Sequence, residues 1–336
     1  MSGERIVPAT PAALRAAARA LLEGRLVAFP TETVYGLGAN ADDAAAVARI
    51  FAAKRRPADH PVIVHLADVS QLAAWAREVP AGAAALADAF WPGPLTLILP
   101  RAARVTDAIT GGQDSVGLRV PSHPVARALL REFAALGGRG VAAPSANRFG
   151  HVSPTCAQHV ADDLGAAVDT ILDGGECAVG IESTIVAFVG ATPVLLRPGG
   201  VAIGDLARVL GAEPAPAPAD APRASGTLAS HYAPRTPALR VAATAMRSEV
   251  EQLAARDERV AVLARTVAMP AGFDGAWHAA PRDARGYAQG LYAALRALDA
   301  ANADVIVIED VPESPEWLAV RDRLARATHG VDDDRD

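Results

Sequence analysis

The chain has 336 residues, 51% of them hydrophobic, and a formal charge of −6. Single cores stop growing beyond about 250–300 residues, so two domains are expected. The apolar residues are mostly Ala in short runs, never the ~20-residue stretch that spans a bilayer. Residues 1–20 also lack the charged and apolar regions of a secretory leader, and the acidity disfavours general nucleic-acid binding, so a cytoplasmic protein is expected.

The first strand candidate is 26–29, and the polar segment 30–38 after it carries Thr31, Glu32, Thr33, Gly36 and Gly38. Two hydroxyls, a carboxylate and two glycines suit a small polar ligand, although a generic turn would use similar residues. Residues 41–54 read as a helix, because Val47, Ile50 and Phe51 recur at helical spacing behind the capping candidates Asn40 and Asp42. It ends on Lys54-Arg55-Arg56-Pro57. Cations there complement the helix dipole, yet they lead through His60 into strand 62–66, which carries His65, so phosphate binding by Lys54 and Arg56 is the stronger reading. All but one of the 32 basic residues are Arg, and the exception is Lys54. An ammonium and a guanidinium are not equivalent where one charge must meet a phosphate.

Strands are expected at 95–99 and 116–120. Arg119 stands inside the second, where it needs either a ligand carboxylate or an internal salt bridge. Ser145 and Asn147 follow another apolar run, and Ser153 resembles a helix N-cap. Cys156 and Cys177 fit neither a disulfide framework nor a zinc ribbon and read as inert buried thiols. Further strands at 168–172, 184–188 and 194–197 lead to Ser183 and Arg197. Alternation of strands and Ala-rich helices indicates an α/β fold, with Pro- and Gly-rich joints favouring a mixed sheet.

Residues 212–223 form a Pro/Ala tract, read as a semi-rigid linker. Beyond it, strands at 239–243, 260–264 and 305–309 and helices at 246–256, 286–300 and 316–327 predict a smaller α/β domain without a glycine-rich nucleotide fingerprint. The domain scheme is therefore 1–211, a linker and lid over 212–237, a second domain over 238–330, and an acidic tail at 331–336. The Walker loop, the dinucleotide fingerprint, the zincin motif and the hydrolase nucleophile elbow are all missing. Cations among hydroxyls, with no obvious carboxylate dyad, instead fit phosphoryl or nucleotidyl displacement.

These strings, in this order, resemble the threonylcarbamoyl-adenylate synthase family of the YrdC/Sua type, in its long form with a C-terminal domain. The resemblance rests on segment 30–38, Lys54-x-Arg56-Pro57, Pro92-Gly93-Pro94-x-Thr96, 115–121, 143–147, Ser153-Pro154-Thr155, 182–185, 196–199 and Ser230-His231-Tyr232-Ala233-Pro234. It implies a YrdC-like twisted mixed sheet with flanking helices and a smaller Rossmann-like C-terminal domain. It also implies synthesis of threonylcarbamoyl-AMP and pyrophosphate from L-threonine, bicarbonate and ATP with Mg²⁺. The magnesium would be held mainly by ATP phosphates, and the product would pass to a separate tRNA-modifying threonylcarbamoyl transferase, with weak or no direct tRNA binding and no membrane partner. Position by position, the resemblance assigns Thr33, His65, Arg119, Ala143 and Ser183 to threonine. Arg56, His60, Ser115, Ser145, Ser153, Arg197 and, as part of a lid, Tyr232 are assigned to ATP. Lys54, Arg56 and Asn147 make up the catalytic set. Two positions depart from the pattern: His60 stands where Asn is frequent, and Ser225 where Pro is usual, a change expected to loosen the lid. The rival readings are a double-stranded RNA or tRNA-binding module and a carbamoyl-transfer domain of hydrogenase maturation, whose additional modules are missing here.

Overall fold

The computed structural model describes residues 5–226 and 231–329. Ser230 and the acidic tail lie outside the described residues. Two compact units divide the chain, one within Met1–Phe149 and Ser153–Thr227, the other within Gly150–Val152 and Leu228–Asp336.

The first unit opens with β1 (Ile6–Pro8), α1 (Pro11–Leu22), β2 (Val27–Phe29), β3 (Gly36–Asn40), α2 (Ala44–Lys54) and β4 (Ile63–His65). Next come α3 (Ala81–Phe90), β5 (Leu95–Pro100), α4 (Asp107–Thr110), β6 (Ser115–Arg119), α5 (Pro124–Ala135), β7 (Val141–Ala142) and α6 (Ala157–Leu164). It closes with β8 (Thr170–Asp173), β9 (Thr184–Val189), β10 (Thr192–Arg197), α7 (Ile203–Leu210) and β11 (Ala215–Pro216). Among the described residues the strands form one mixed sheet in the order β1-β8-β2-β3-β7-β4-β6-β5-β9-β10-β11.

Both faces of this sheet are covered, and strand alternation shows how. In β2, Val27 and Phe29 pack with Leu14, Leu21, Leu129 and Phe133 of α1 and α5. Ala28 points the other way, into the cluster of Ile50, Phe51, Trp75, Leu86 and Leu97. The sequence reading treats 30–38 as loop throughout, yet its last three residues open β3. Gly36 and Gly38 weaken the strand signal, but Gly38 is needed for packing: a Cβ there would lie 2.9 Å from both Phe29 Cε1 and Val141 Cγ1. Helix α2 starts later than its sequence suggests. Asn40 spends its amide oxygen on the Asp42 N–H, while Asp43 caps the helix by accepting from Ala45 and Ala46. Asp42 pairs instead with Arg104 and Arg139.

Part of the segment read as a semi-rigid linker packs on the first unit. Ala215 and Pro216 pair with Val194 and Leu195 as a sheet edge, a position that tolerates proline. Ala224 is buried with Ile98, Ile185, Ala187 and Val194. The boundary between units accordingly falls at 227/228, sixteen residues beyond the expected end of the first domain.

The second unit contains β12 (Ala238–Val241), α8 (Met246–Ala254), β13 (Val260–Ala264), β14 (Trp277–Ala279), α9 (Ala284–Asp299), β15 (Val305–Glu309) and α10 (Leu318–Thr328). Its sheet, β12-β15-β13-β14, is wholly parallel. β14 is a short edge strand whose sequence gives no periodic signal. At the carboxyl ends of β13 and β15, where doubly wound sheets bind ligands, Glu309 is fully buried. Its carboxylate accepts the N–H groups of Arg265, Thr266 and Val267 at 2.6, 2.7 and 3.1 Å, together with the Thr266 hydroxyl. Donors of the kind that cradle phosphate elsewhere are thus taken by the chain's own anion. Tyr232 stacks on Tyr292 at 5.7 Å, with the Arg323 guanidinium over its ring at 5.2 Å. Among the described residues no helix is long and apolar enough to cross a membrane.

Candidate active site

The site grows from the ends of neighbouring strands in the first unit. Beyond β2, the Thr31 hydroxyl donates to Val34 O at 2.6 Å and accepts the N–H groups of Thr33 and Val34, which fixes a tight turn. With its proton so used, Thr31 must accept from the Thr33 hydroxyl 2.8 Å away. Thr33 in turn accepts from Arg119 Nη1 at 2.9 Å. Arg119 Nη2 lies 2.7 Å from Glu32 Oε1, and its Nε donates to Gly93 O at 3.3 Å. The internal salt bridge that the sequence left open therefore exists, with both partners buried. It does not exhaust the arginine: a guanidinium has five N–H groups, and one each on Nη1 and Nη2 is uncommitted.

Burial pushes the Glu32 carboxyl up, but the charge and hydrogen bond of Arg119, with the Ser122 N–H at 3.0 Å, hold it below the ordinary value. Beside Arg119 in the β4–β6 register stands His65. It is 3% exposed, its Nδ1 has no hydrogen-bond partner, and its ring meets Phe29 edge-on at 6.2 Å. Burial, then the charge of Arg119, pushes its pKa down to about 3 from 6.5. The folded state therefore binds fewer protons than the unfolded chain between those values, and stability rises with pH across that window. His65→Gln should flatten urea-unfolding stability against pH, removing about 1.4 kcal/mol per unit below 6.5. An unchanged slope would mean that His65 is not held neutral. Ala143 joins the same corner, its N–H bonded to Ile63 O at 3.0 Å.

Lys54 ends α2 but is not an exposed charge. It is 2% exposed, and Nζ donates to Ser145 O at 2.6 Å and Asn147 O at 2.5 Å. Its own carbonyl accepts the Phe149 N–H at 2.9 Å, so the side chain and main chain of one residue clamp the 145–149 loop. Burial, then the charge of Arg56, pushes its pKa well below the ordinary lysine value. In this conformation Lys54 braces the 145–149 loop. Arg56 lies between the Phe51 and Phe149 rings at 6.0 and 5.8 Å, and His60 meets Phe149 edge-on. Burial, then Arg56, also lowers the His60 pKa.

A continuous string of hydrogen bonds connects the remaining cations. Arg56 Nη2 reaches Pro61 O at 2.9 Å and Ser225 Oγ at 3.4 Å. Ser225 O accepts from Arg197 Nη1 at 2.7 Å. Arg197 Nη2 donates to Ser183 O and Oγ at 2.9 and 3.2 Å, and Ser183 Oγ lies 2.7 Å from Thr96 Oγ1. Gly199 sits so close behind this that a Cβ would come 2.4 Å from Glu182 O. Ser225 adds a bond to Pro61 O at 2.8 Å, so the residue expected to loosen the segment tethers it. The Ser153 hydroxyl is turned to Glu182 at 2.6 Å. Ser115 starts β6, about 13 Å along the strand from Arg119. It lines a cleft of about 410 Å³ with Arg77, Gln113 and Asp220. Tyr232 belongs to the second unit. The sequence assignments passed over Glu32, Thr96, Glu182 and Ser225, the groups that join the named residues. Acids flanked by hydroxyls, in Thr31-Glu32-Thr33 and Glu182-Ser183-Thr184, were the available signal.

Residues 19–199 match the Sua5, YciO and YrdC family described as "Telomere recombination". Residues 201–329 match the one described as "Threonylcarbamoyl-AMP synthase, C-terminal domain". The chain is 42% identical to the threonylcarbamoyl-AMP synthase of Pyrococcus abyssi, with 94% of each sequence covered. It is 40% identical to that of Bacillus subtilis, covering 94% of this chain and 92% of the relative. A crystal structure of P. abyssi Sua5 complexed with L-threonine superposes with a TM-score of 0.87 at 40% identity, covering 96% of both chains.

Proposed function

The chain belongs to the threonylcarbamoyl-AMP synthase family, and from that membership we propose that it makes L-threonylcarbamoyl-AMP from L-threonine, bicarbonate or carbon dioxide, and ATP. It is an enzyme of the nucleotidyltransferase kind. The free amine of threonine bonds to the carbon and becomes a carbamate, losing a proton when carbon dioxide is the source and releasing water when bicarbonate is. One carbamate oxygen attacks the α-phosphorus of ATP, the bond to the β-phosphate oxygen breaks, and pyrophosphate leaves. Magnesium enters as part of the substrate, on the triphosphate oxygens. The product is a reactive mixed anhydride, suited to transfer by a separate enzyme onto N6 of adenosine 37 in tRNA.

The observation that carries this reading is the corner where Arg119, with two uncommitted N–H groups, adjoins the neutral His65, whose Nδ1 has no partner, and the Thr33 hydroxyl. A ligand carboxylate suits the first and a ligand hydroxyl the second, which together describe threonine. Ala143 and Ser183 complete the amino-acid contacts. Arg56 and Arg197, with His60, Ser115, Ser145 and Ser153, receive the nucleotide, and the family likeness adds Tyr232. Lys54 and Asn147 hold the loop against which the phosphates settle. Such a site works by placing the reactants and neutralising charge.

Pyrophosphate release from ATP should require both threonine and bicarbonate, and omission of either should reduce it to background. Release independent of threonine would refute the assignment. Binding of tRNA with no pyrophosphate released under any condition would favour the RNA-binding module instead.

A further inference from the structure

We propose that Glu32 acts through Arg119 as the counter-charge of the amino-acid site, so that the site takes a zwitterion in preference to a carboxylate lacking the ammonium group. The inference rests on the assignment of Arg119 to the amino-acid carboxylate. Glu32 is 6% exposed, ion-paired with Arg119 at 2.7 Å, and anchored on its other oxygen by the Ser122 N–H. Neighbouring His65 is buried and has no acidic partner, and for half-buried His123 burial outweighs the pull of Glu32 and favours the neutral form. Cys177, near the same carboxylate, is a buried thiol. The ionised groups in direct contact around Arg119 are therefore one carboxylate and one guanidinium, whose charges cancel, while Arg197, bonded to Ser183 Oγ at 3.2 Å, is a further cation that stays the same in wild type and Glu32 variants.

A buried site of zero net charge accepts a ligand of zero net charge most readily, because an added unpaired charge must be desolvated without compensation. An amino acid brings its own ammonium and adds nothing. A bare carboxylate adds one negative charge beside Glu32. With Glu32 neutralised, the Arg119 charge is uncompensated and the bare carboxylate becomes the better match. Glu32 is thus a positioning residue that sets ligand class through the field at Arg119, and no contact of its own with the ligand is required.

The test compares L-threonine with the 2,3-dihydroxybutanoate of the same configuration, in which a hydroxyl replaces the ammonium, by calorimetry on the full chain. The wild type should bind threonine more tightly, and Glu32→Gln should shrink that preference by at least about tenfold. Glu32→Asp, which keeps the charge, should retain it. Equal weakening of both ligands in Glu32→Gln, with the preference intact, would show a merely structural role and overturn the proposal. Should Glu32→Gln not fold, the wild type decides, since equal affinity for the two ligands also overturns it. A wild type that binds neither ligand would overturn the proposal together with the threonine assignment, whereas threonine binding with an unchanged preference counts against Glu32 alone.

Discussion

Arg119→Ala is expected to lose about 3–5 kcal/mol of stability, together with all threonine-dependent pyrophosphate release. Three contacts disappear at once: those to Glu32, to the Thr33 hydroxyl and to Gly93 O. The largest part of the loss comes from Glu32, left as a buried carboxylate supported by one backbone N–H. Its pH dependence should then reverse. In the native protein the Glu32 pKa is depressed, so the pair contributes stability above the unfolded value and loses it as the medium is acidified. Without Arg119, burial, the largest influence on this carboxyl, outweighs the remaining backbone hydrogen bonds and raises the pKa above the unfolded value, so the variant should be less impaired at pH 4 than at pH 7.5. Urea unfolding at both values checks this. Replacing both partners, Glu32→Leu with Arg119→Met, should restore most of the stability, since an apolar pair of similar volume avoids the desolvation cost. It should not restore activity. A loss below about 1 kcal/mol in Arg119→Ala, the range of an exposed pair, would show that the ion pair does not organise the turn.

The second large effect is expected at Lys54. Lys54→Met keeps the length of the side chain but leaves the Ser145 and Asn147 carbonyls without their donor, at about 1–3 kcal/mol each. Lys54→Arg forces a planar, permanently charged fork into a space that holds a single nitrogen 2.6 and 2.5 Å from two oxygens. Overpacking of that kind costs about 1–3 kcal/mol. Because the same loop carries Phe149, against which Arg56 and His60 rest, displacing it moves the nucleotide contacts as a group. Misplacement by about 1 Å can lower turnover about 100-fold. Both variants should therefore be slow as well as less stable, with kcat falling more than threonine affinity. Native turnover in Lys54→Arg would mean that neither the amine nor the loop position matters.

Seven strands of the first unit were legible because their apolar runs are bounded by Gly and Pro, and the mixed sheet followed from those joints, whereas the two- and three-residue strands β1, β7 and β11 are too short to show a pattern. β3 was not, because it is built of Gly36, Leu37 and Gly38, whose value lies in close packing and not in strand preference. Motif strings named Arg119, Arg197 and Lys54, but a string cannot say what a cation faces. Arg119 found an acid from its own chain and Lys54 found main-chain carbonyls, both partners more than 80 residues distant or brought across the sheet by strand register. The Pro/Ala tract misled for the same reason. Composition describes what it cannot build alone, whereas β10 offered it an open edge.

The segment ending at Ser225 has one more consequence. Its carbonyl and hydroxyl oxygens already occupy donors of Arg197 and Arg56, so an arriving polyanion exchanges hydrogen bonds there and does not simply add them. Its apparent affinity is discounted by the share of molecules in which those donors are engaged from within. Proline at this position would keep the main-chain hold on Arg197 and surrender the one on Arg56, so serine makes the pair of arginines the more reluctant to release their donors to such an anion.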